Sequence, residues 1–247
     1  MMVIGPAFWV VLAFLVTLAA ALAALGRVRV SRAVVSASLR AVAQLAVVSL
    51  LITWVLRTWG LTVAFVLLMA VVASATSARR ITRETSGWWA AAAITAGFAS
   101  VLGLIIVAGT IPFRTIAVVP TAGILIGGAM TATSLAGRRI MEDLTGRRGE
   151  YEALLALGFT APEAVRELCR PFVGQALHPA LDQTRTVGLV TLPGAFVGVL
   201  LGGGDPIQAG ATQLLVLVGL LAVETIAVIV VLELVARNMI RQPASQR

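Results

Sequence analysis

The sequence contains no lysine, one cysteine, one histidine and little charge of either sign. Charged residues make up 12% of the 247 positions, against the roughly 25% typical of a soluble domain. Because a P-loop needs a lysine that contacts the nucleotide phosphates, the chain cannot build that ATP site. The lone Cys169 excludes an intramolecular disulfide.

Long apolar runs occupy most of the chain. Hydrophobic residues account for 59% of the sequence, and the mean hydropathy is +0.99. A helix that crosses a bilayer needs roughly 20 apolar residues. Such runs lie near residues 6–25, 41–56, 61–78, 89–109, 116–136, 186–203 and 209–235. Because backbone groups in lipid must be satisfied within the segment, we predict an all-α polytopic protein with about seven transmembrane helices in a single domain, 1–247.

The arginines fall on one side of these predicted spans. Seventeen of the 19 lie in the segments 26–40, 79–88, 137–185 and 237–247. The other side carries only Arg57 and Arg114. The positive-inside rule therefore places the arginine-rich side in the cytoplasm, with the N-terminus outside and the C-terminal tail inside. The same rule accounts for the net charge of +8 without a nucleic-acid partner.

Only the cytoplasmic segment 137–185, between predicted spans five and six, is long enough to fold. Apolar residues at helical spacing from Tyr151 predict a short helix that ends at Gly158. Thr160 and Glu163 form a capping pair for a second helix. This predicted hairpin either lies on the lipid headgroups or docks on a partner protein.

Two apolar segments are rich in small residues. The first, GILIGGAMTATSLAGRR at 123–139, is apolar but carries glycines and hydroxyls. Helical spacing puts six of its residues on one face: Gly123, Gly127, Met130, Thr131, Ser134 and Arg138. The Gly-x-x-x-Gly pair lets a neighbouring helix approach closely. We interpret this face as a packed, mobile interface first and a wall of a solute path second.

The second small-residue segment is predicted span six. Pro193 and Gly194 interrupt it near its start, and Gly198 removes a further side chain. Broken helices occur at membrane depth where they line a cavity or are buried in protein. Proline and glycine are also common in ordinary membrane helices, so packing and pathway remain alternatives.

Two polar residues fall within predicted spans. Glu224 lies near the middle of the last span, where a charge costs at least about 2.5 kcal/mol. Such a residue faces either a water path or a helix interface in which it is paired or protonated. Gln44 follows Arg40 by four residues on the second span and is a further candidate for packing or passage.

A metal site is not evident from residue spacing. His178 and Asp182 lie four residues apart, but no cluster of cysteines and histidines has the spacing of a metal site. We favour structural roles for His178 and Cys169, and the metal ligands stay unknown.

Several stretches resemble the permeases of ABC transporters. EALLALG at 152–158 resembles the Glu-Ala-Ala-x-x-x-Gly loop whose coupling helix inserts into the ATPase subunit. Leu168 and Pro171 match the downstream positions of that motif, and Arg170 stands where leucine is usual.

The similarity extends over about residues 30–230. It includes RAVAQL at 40–45, GAMTATSLAGRR at 128–139 and GLVTLPGAFVGVLLGGGDPIQAGATQ at 188–213. These stretches are similar to a family of small ABC permeases with bacterial iron-exporting and plant aluminium-tolerance members. The chain departs from the family pattern, in which methionines, a glutamine and an asparagine are frequent, at Ala195, Phe196, Val199 and Gly128.

The resemblance implies a permease subunit that is not itself an enzyme. It implies a homodimer in the lipid of the inner (plasma) membrane, with a separate cytoplasmic ATPase that binds the ATP. No cofactor is expected on this chain, and the implied activity is export of a metal ion such as iron. The implied ATPase-coupling residues are Glu152, Ala153, Leu157, Gly158, Leu168 and Pro171. An ion-coupled secondary transporter and a non-transporting membrane scaffold remain the alternatives.

Overall fold

The computed structural model describes residues 5–241, and those residues contain α-helices, two short 3-10 turns and one isolated bridge. The helices are α1 Pro6–Leu25, α2 Ser31–Val55, α3 Trp59–Ile81, α4 Ala90–Val107, α5 Thr115–Gly146, α6 Arg148–Ala156, α7 Ala161–Val173, α8 His178–Thr186, α9 Gly194–Leu201 and α10 Pro206–Ala236. Six of them are long and apolar enough to cross a membrane: α1, α2, α3, α4, α5 and α10. The prediction of an all-α polytopic membrane protein is confirmed.

The described chain divides into two compact units after Thr58. In the first unit, α1 and α2 pack against each other across a short turn. The second unit contains α3 to α10. The single domain 1–247 stays a prediction, and residues 242–247 of the predicted tail lie outside the described residues.

The sixth predicted span, 186–203, is not a continuous helix. Thr186 ends α8, and Gly194–Leu201 forms α9, whose eight residues measure about 12 Å, too short to cross a bilayer. The residues before it form a turn, in which the Gly188 N–H donates to the Thr191 carbonyl over 2.9 Å. Pro193 is the N-cap of α9, and its own backbone is extended at φ −69° and ψ 158°. The sequence predicts an interruption at Pro193 and Gly194, and α9 begins at that point. The count of seven spans and the orientation stay predictions.

The core of the second unit lies where α5 packs against α3, α4 and α10, and where α10 packs against α4. One buried cluster forms around Ile94, Leu125 and Val223, and a second forms around Ile140 and Val231. The second cluster also includes the buried face of α7. The core therefore continues out of the apolar spans and takes in the helical hairpin.

Small residues allow these helices to approach closely. A methyl group at Gly97 of α4 would lie 2.7 Å from the Val223 carbonyl oxygen of α10. A methyl group at Gly128 of α5 would overlap the Leu220 Cδ1 of α10. Because neither position has room for a side chain, α10 is held tightly on two sides.

The segment from α7 to α9 runs along α10 from one end to the other. Arg166 of α7 pairs with Glu233, and the Phe196 N–H of α9 donates to the Gln213 Oε1. Twenty residues of α10 separate these contacts, which corresponds to about 30 Å, the thickness of the apolar core of a bilayer. The broken segment therefore covers a membrane-sized distance.

Candidate functional site

The predicted helix–turn–helix between spans five and six is present as α6 and α7. The turn between them includes Gly158 at φ +94°, a conformation that favours glycine. The Thr160 N–H donates to the Glu163 Oε2 over 2.9 Å and completes a capping box at the start of α7. The Thr160 hydroxyl also donates to the Glu163 Oε2, over 2.6 Å, and this bond together with that of the backbone N–H lowers the pKa of the Glu163 carboxyl.

The tip of the hairpin is exposed and partly apolar. Leu157 is 77% exposed, and its neighbours Leu155 and Phe159 are exposed too. Ala153 and Glu152 lie on the exposed surface of α6, where the Arg148 Nε donates to the Glu152 Oε1 over 2.9 Å. Exposed leucines and a phenylalanine beside charged residues are typical of a protein-binding surface.

The other predicted coupling residues lie on α7 and in the turn. Gly158 forms the turn, and Pro171 is exposed near the end of α7. Leu168 is only 4% exposed and packs in the core with α5 and α10. Leu168 is therefore an anchor of the hairpin and not part of its exposed surface.

Ion pairs and ring contacts fix α7 to the ends of α5 and α10. The Arg166 guanidinium donates two hydrogen bonds of 2.9 Å to the Glu233 carboxylate. The Arg147 guanidinium donates to the Leu168 carbonyl over 3.1 Å and lies 4.9 Å above the Phe172 ring. The Arg139 guanidinium contacts the same ring at 5.6 Å. The hairpin is therefore joined to both long helices at the same end.

Cys169 is buried beside these contacts. Burial raises the pKa of its thiol to about 12, so the thiol stays protonated at neutral pH and is unreactive. His178 is exposed at the start of α8, and Asp182 pairs with Arg185 over 3.5 Å. Among the described residues, no group of three or more histidines, cysteines and carboxylates could hold a metal ion.

A large cavity lies at the opposite end of α5 and α10. It is half open, with a volume of about 1250 Å³, and it is lined by the loop before α5, the start of α5, α9, the start of α10 and Gln183 of α8. Three of the predicted pathway residues line it, Pro193, Gly194 and Gly198. Its polar side chains are Thr110, Thr121, Gln183, Gln208, Thr212 and Gln213. None of the described residues that line it carries a charge.

Gln213 also fixes the broken segment in place. It is 5% exposed, and its Oε1 accepts the Phe196 N–H over 3.3 Å. The first amides of a helix have no partner within the helix, so this contact satisfies one of them for α9. Sequence reasoning missed Gln183, Gln208 and Gln213, although a glutamine inside an apolar run is the signal that could have found Gln213.

Glu224 lies just beyond the cavity, within the bundle. It is 6% exposed, and it faces Gly128, where a methyl group would lie 3.0 Å from the Glu224 Oε1. No other described residue forms a hydrogen bond or an ion pair with its carboxylate in the structure. Gly128, which Glu224 faces, was not among the predicted site residues.

The predicted small-residue face of α5 lies partly against α3 and partly beside open space. Gly123 lies against the Met69 side chain, and Ser134 hydrogen-bonds with Ser77 over 2.9 Å. The Ser77 hydroxyl also donates to the Met130 carbonyl over 3.1 Å. These three positions therefore face α3. In contrast, Gly127 has open space beside it, and the exposed Thr131 hydroxyl donates to the Gly127 carbonyl. In the first unit, Gln44 is exposed.

Comparisons with known proteins agree with this architecture. The chain is 35% identical over 162 residues to the UPF0014 membrane protein STAR2 of Oryza sativa, which covers 65% of this chain and 57% of that protein. It is 32% identical over 159 residues to the protein ALUMINUM SENSITIVE 3 of Arabidopsis thaliana, covering 64% of this chain and 58% of that one. It is 34% identical over 146 residues to the probable iron export permease protein FetB of Escherichia coli, covering 59% of this chain and 56% of that one.

These alignments span less than three fifths of each relative's length. No solved structure matches the chain. The profile described as "Uncharacterised protein family (UPF0014)" matches residues 7–240, which is nearly the whole of the described chain. The chain is therefore a multi-pass membrane protein that belongs to the UPF0014 family.

Proposed function

We propose that this chain is the permease subunit of an ATP-driven exporter, and that a separate cytoplasmic ATPase docks on the tip of the α6–α7 hairpin. The observation that carries the proposal is the hairpin itself, whose tip is exposed while its base is buried in the core. Leu157 is exposed on one side of the turn, and Leu168 is buried on the other. A surface that is both exposed and rigidly attached is suited to transmit force.

The geometry provides a route for that force. The hairpin is joined to the C-terminal ends of α5 and α10, and the cavity lies at their N-terminal ends. A displacement of α7 would therefore act on the two helices that form the cavity wall. ATP can shift the conformation only if the ATPase docks differently in the two states, since equal docking shifts no equilibrium.

The relatives and the composition support the proposal that this chain forms the permease and that a separate chain hydrolyses ATP. The name of the Escherichia coli relative describes a probable iron export permease. This chain contains no lysine, so a P-loop cannot be built from it. The proposed assembly is a homodimer in the inner membrane with the hairpin in the cytoplasm, and the proposed cargo is a metal ion such as iron. In that orientation the cavity lies toward the outer side, where exported cargo leaves.

Copurification of the ATPase with hairpin variants tests the docking surface. We expect Glu152→Arg and Leu157→Arg to abolish association with the ATPase, because they place new positive charge on the tip. Gly158→Leu should do the same by forcing a side chain into a left-handed turn. The matched control is Glu142→Arg, which reverses another exposed glutamate, near the cytoplasmic end of α5.

The control separates loss of docking from loss of folding. All four variants should remain in the membrane with an unchanged thermal unfolding temperature, except that Gly158→Leu is expected to lower it. Normal recovery of the ATPase with both tip arginine variants would contradict the proposal. If Glu142→Arg lowers recovery of the ATPase as much as the tip variants do, then the net charge of the cytoplasmic surface, and not the hairpin tip, governs association.

An ion-coupled secondary transporter is the second candidate, and the buried Glu224 favours it. A carboxylate inside a membrane helix bundle is a common feature of proton and ion relays. The two candidates differ in their energy source. Flux by the purified chain that needs an ion gradient and no nucleotide would select the second candidate.

A further inference from the structure

Leu220 separates the cavity from Glu224. Its side chain lines the inner end of the cavity and occupies the space above Gly128 of α5. Glu224 follows it by four residues, which is about one helical turn further along α10. A solute that entered the bundle from the cavity would meet Leu220 first and the Glu224 carboxylate next.

The surroundings of Glu224 leave its charge uncompensated. The helices packed against this part of α10 are α4 and α5. No charged residue occurs in α4 or in residues 115–137 of α5, and Glu224 is the only one in residues 206–232 of α10. The nearest charges along these elements are Arg138 on α5 and Glu233 on α10, and Glu233 is already paired with Arg166. An ionised carboxylate in such a place needs a positive partner from outside the chain.

Structural packing alone accounts poorly for this glutamate. Gln213, on the same helix and equally buried, has a defined partner in the Phe196 N–H. Glu224 has no corresponding partner among the described residues, and an apolar side chain would fill its space without the cost of a buried polar group. The carboxyl group of Glu224 is therefore not needed to hold the fold together.

We propose that Glu224 is the binding group for a cationic cargo and that Leu220 is the gate between this group and the cavity. This inference rests on the proposed export function and names the residue that would bind the cargo and the residue that would gate access to it. The glutamine and threonine oxygens of the cavity wall suit a hard cation that exchanges its hydration shell in steps. Opening would require α5 and α10 to separate at Gly128, where Leu220 now fills the gap.

Carbodiimide labelling tests the site without nucleotide or partner. The apolar reagent dicyclohexylcarbodiimide enters lipid and modifies protonated carboxyl groups, and peptide mass spectrometry locates the adduct. In the purified full chain we expect Glu224 to be labelled, and Glu233 on the same helix to serve as an internal control because it is ion-paired. Anaerobic Fe²⁺ at about ten times its Kd should reduce labelling of Glu224 to about one tenth. Choline chloride at the same ionic strength controls for salt effects.

A water-soluble carbodiimide tests the gate. We expect Leu220→Ala to increase its reaction with Glu224 several-fold, because the path from the cavity is then open. The matched control is Leu214→Ala on the exposed side of α10, which should change nothing. Glu224→Gln supplies the blank, since it removes the carboxyl group and keeps the shape.

The outcomes are distinct. Protection of Glu224 by Fe²⁺ together with a gain in labelling by Leu220→Ala supports the proposal. Labelling that follows pH and ignores Fe²⁺ would assign Glu224 to a proton and overturn the cation site. Unchanged labelling in Leu220→Ala would overturn the gate. Because no ATPase is present, failure here leaves the docking experiment on the hairpin untouched.

Discussion

Glycine serves opposite purposes in the two glycine-rich regions of the bundle. At the seam where α10 meets α4 and α5, Gly97 and Gly128 have no room for a methyl group. Around α9, Gly194 and Gly198 have open space beside them and line the cavity. The first region uses small residues to bring helices together, and the second uses them to leave volume empty.

This difference shows that small residues alone do not identify a moving part or a path. The seam is closed because α10 fills the space of the missing side chains, with the Val223 backbone at Gly97 and the Leu220 side chain at Gly128. The α9 region is open because its helix is short, interrupted, and held to α10 through Gln213. A substitution that adds bulk should therefore damage folding in one region and transport in the other.

The largest effect on stability is expected at Gly97. A methyl group there would lie 2.7 Å from a backbone oxygen of α10, so Gly97→Ala must push the helices apart. We expect a loss of about 1–3 kcal/mol in the free energy of unfolding, the usual range for overpacking. The matched control in the same helix is Gly103→Ala, which has open space and should gain about 0.5–1 kcal/mol from helix propensity. Thermal unfolding in detergent measures both, and equal values would contradict the closed seam.

The open region should respond in transport and not in stability. Gly198→Leu places a bulky side chain into the cavity, where a methyl group would meet nothing within 4 Å. We expect the unfolding temperature to stay within a degree or two of the parent and most of the cargo flux to be lost. Gly210→Leu on α10 is the control, since Gly210 also has open space but does not line the cavity. A flux that survives Gly198→Leu would remove the cavity from the path.

The sequence was sufficient for the helices, the hairpin and the buried glutamate. The periodicity of apolar runs predicts the long helices, and the pattern from Tyr151 to Glu163 predicts the helix–turn–helix with its capping box. Glu224 stands out because a carboxylate in an apolar run is costly. These features depend on local patterns, which a single sequence contains.

The sequence was not sufficient to choose between neighbouring glycines. Gly127 and Gly128 are adjacent, and the rotation of α5 in the bundle decides which one meets α10. The fully buried face of α5 contains alanines, among them Ala122, Ala129 and Ala132, which are small enough to lie at close contacts without attracting notice. The prediction gave weight to glycines and hydroxyls, and it therefore selected a face that turns partly toward α3 and partly outward.

The sequence predicted the interruption at Pro193 but not how little of the span stays helical, and it could not predict the cavity. Hydropathy counts the apolar residues of 186–203 but not the break that Pro193 and its preceding turn impose on the backbone. The cavity glutamines Gln183, Gln208 and Gln213 lie on α8 and α10 and meet only through packing. Because these glutamines are separated in the sequence and come together only in the fold, sequence patterns alone did not reveal the cavity.

The central claim is that a separate ATPase, acting through the α6–α7 hairpin, drives cargo across this chain. Fe²⁺ flux in vesicles that contain the purified chain, with and without its ATPase and ATP, tests this claim most directly. We expect flux only when the ATPase and ATP are both present, and loss of that flux in Leu157→Arg. Flux by the chain alone, without nucleotide, would contradict it.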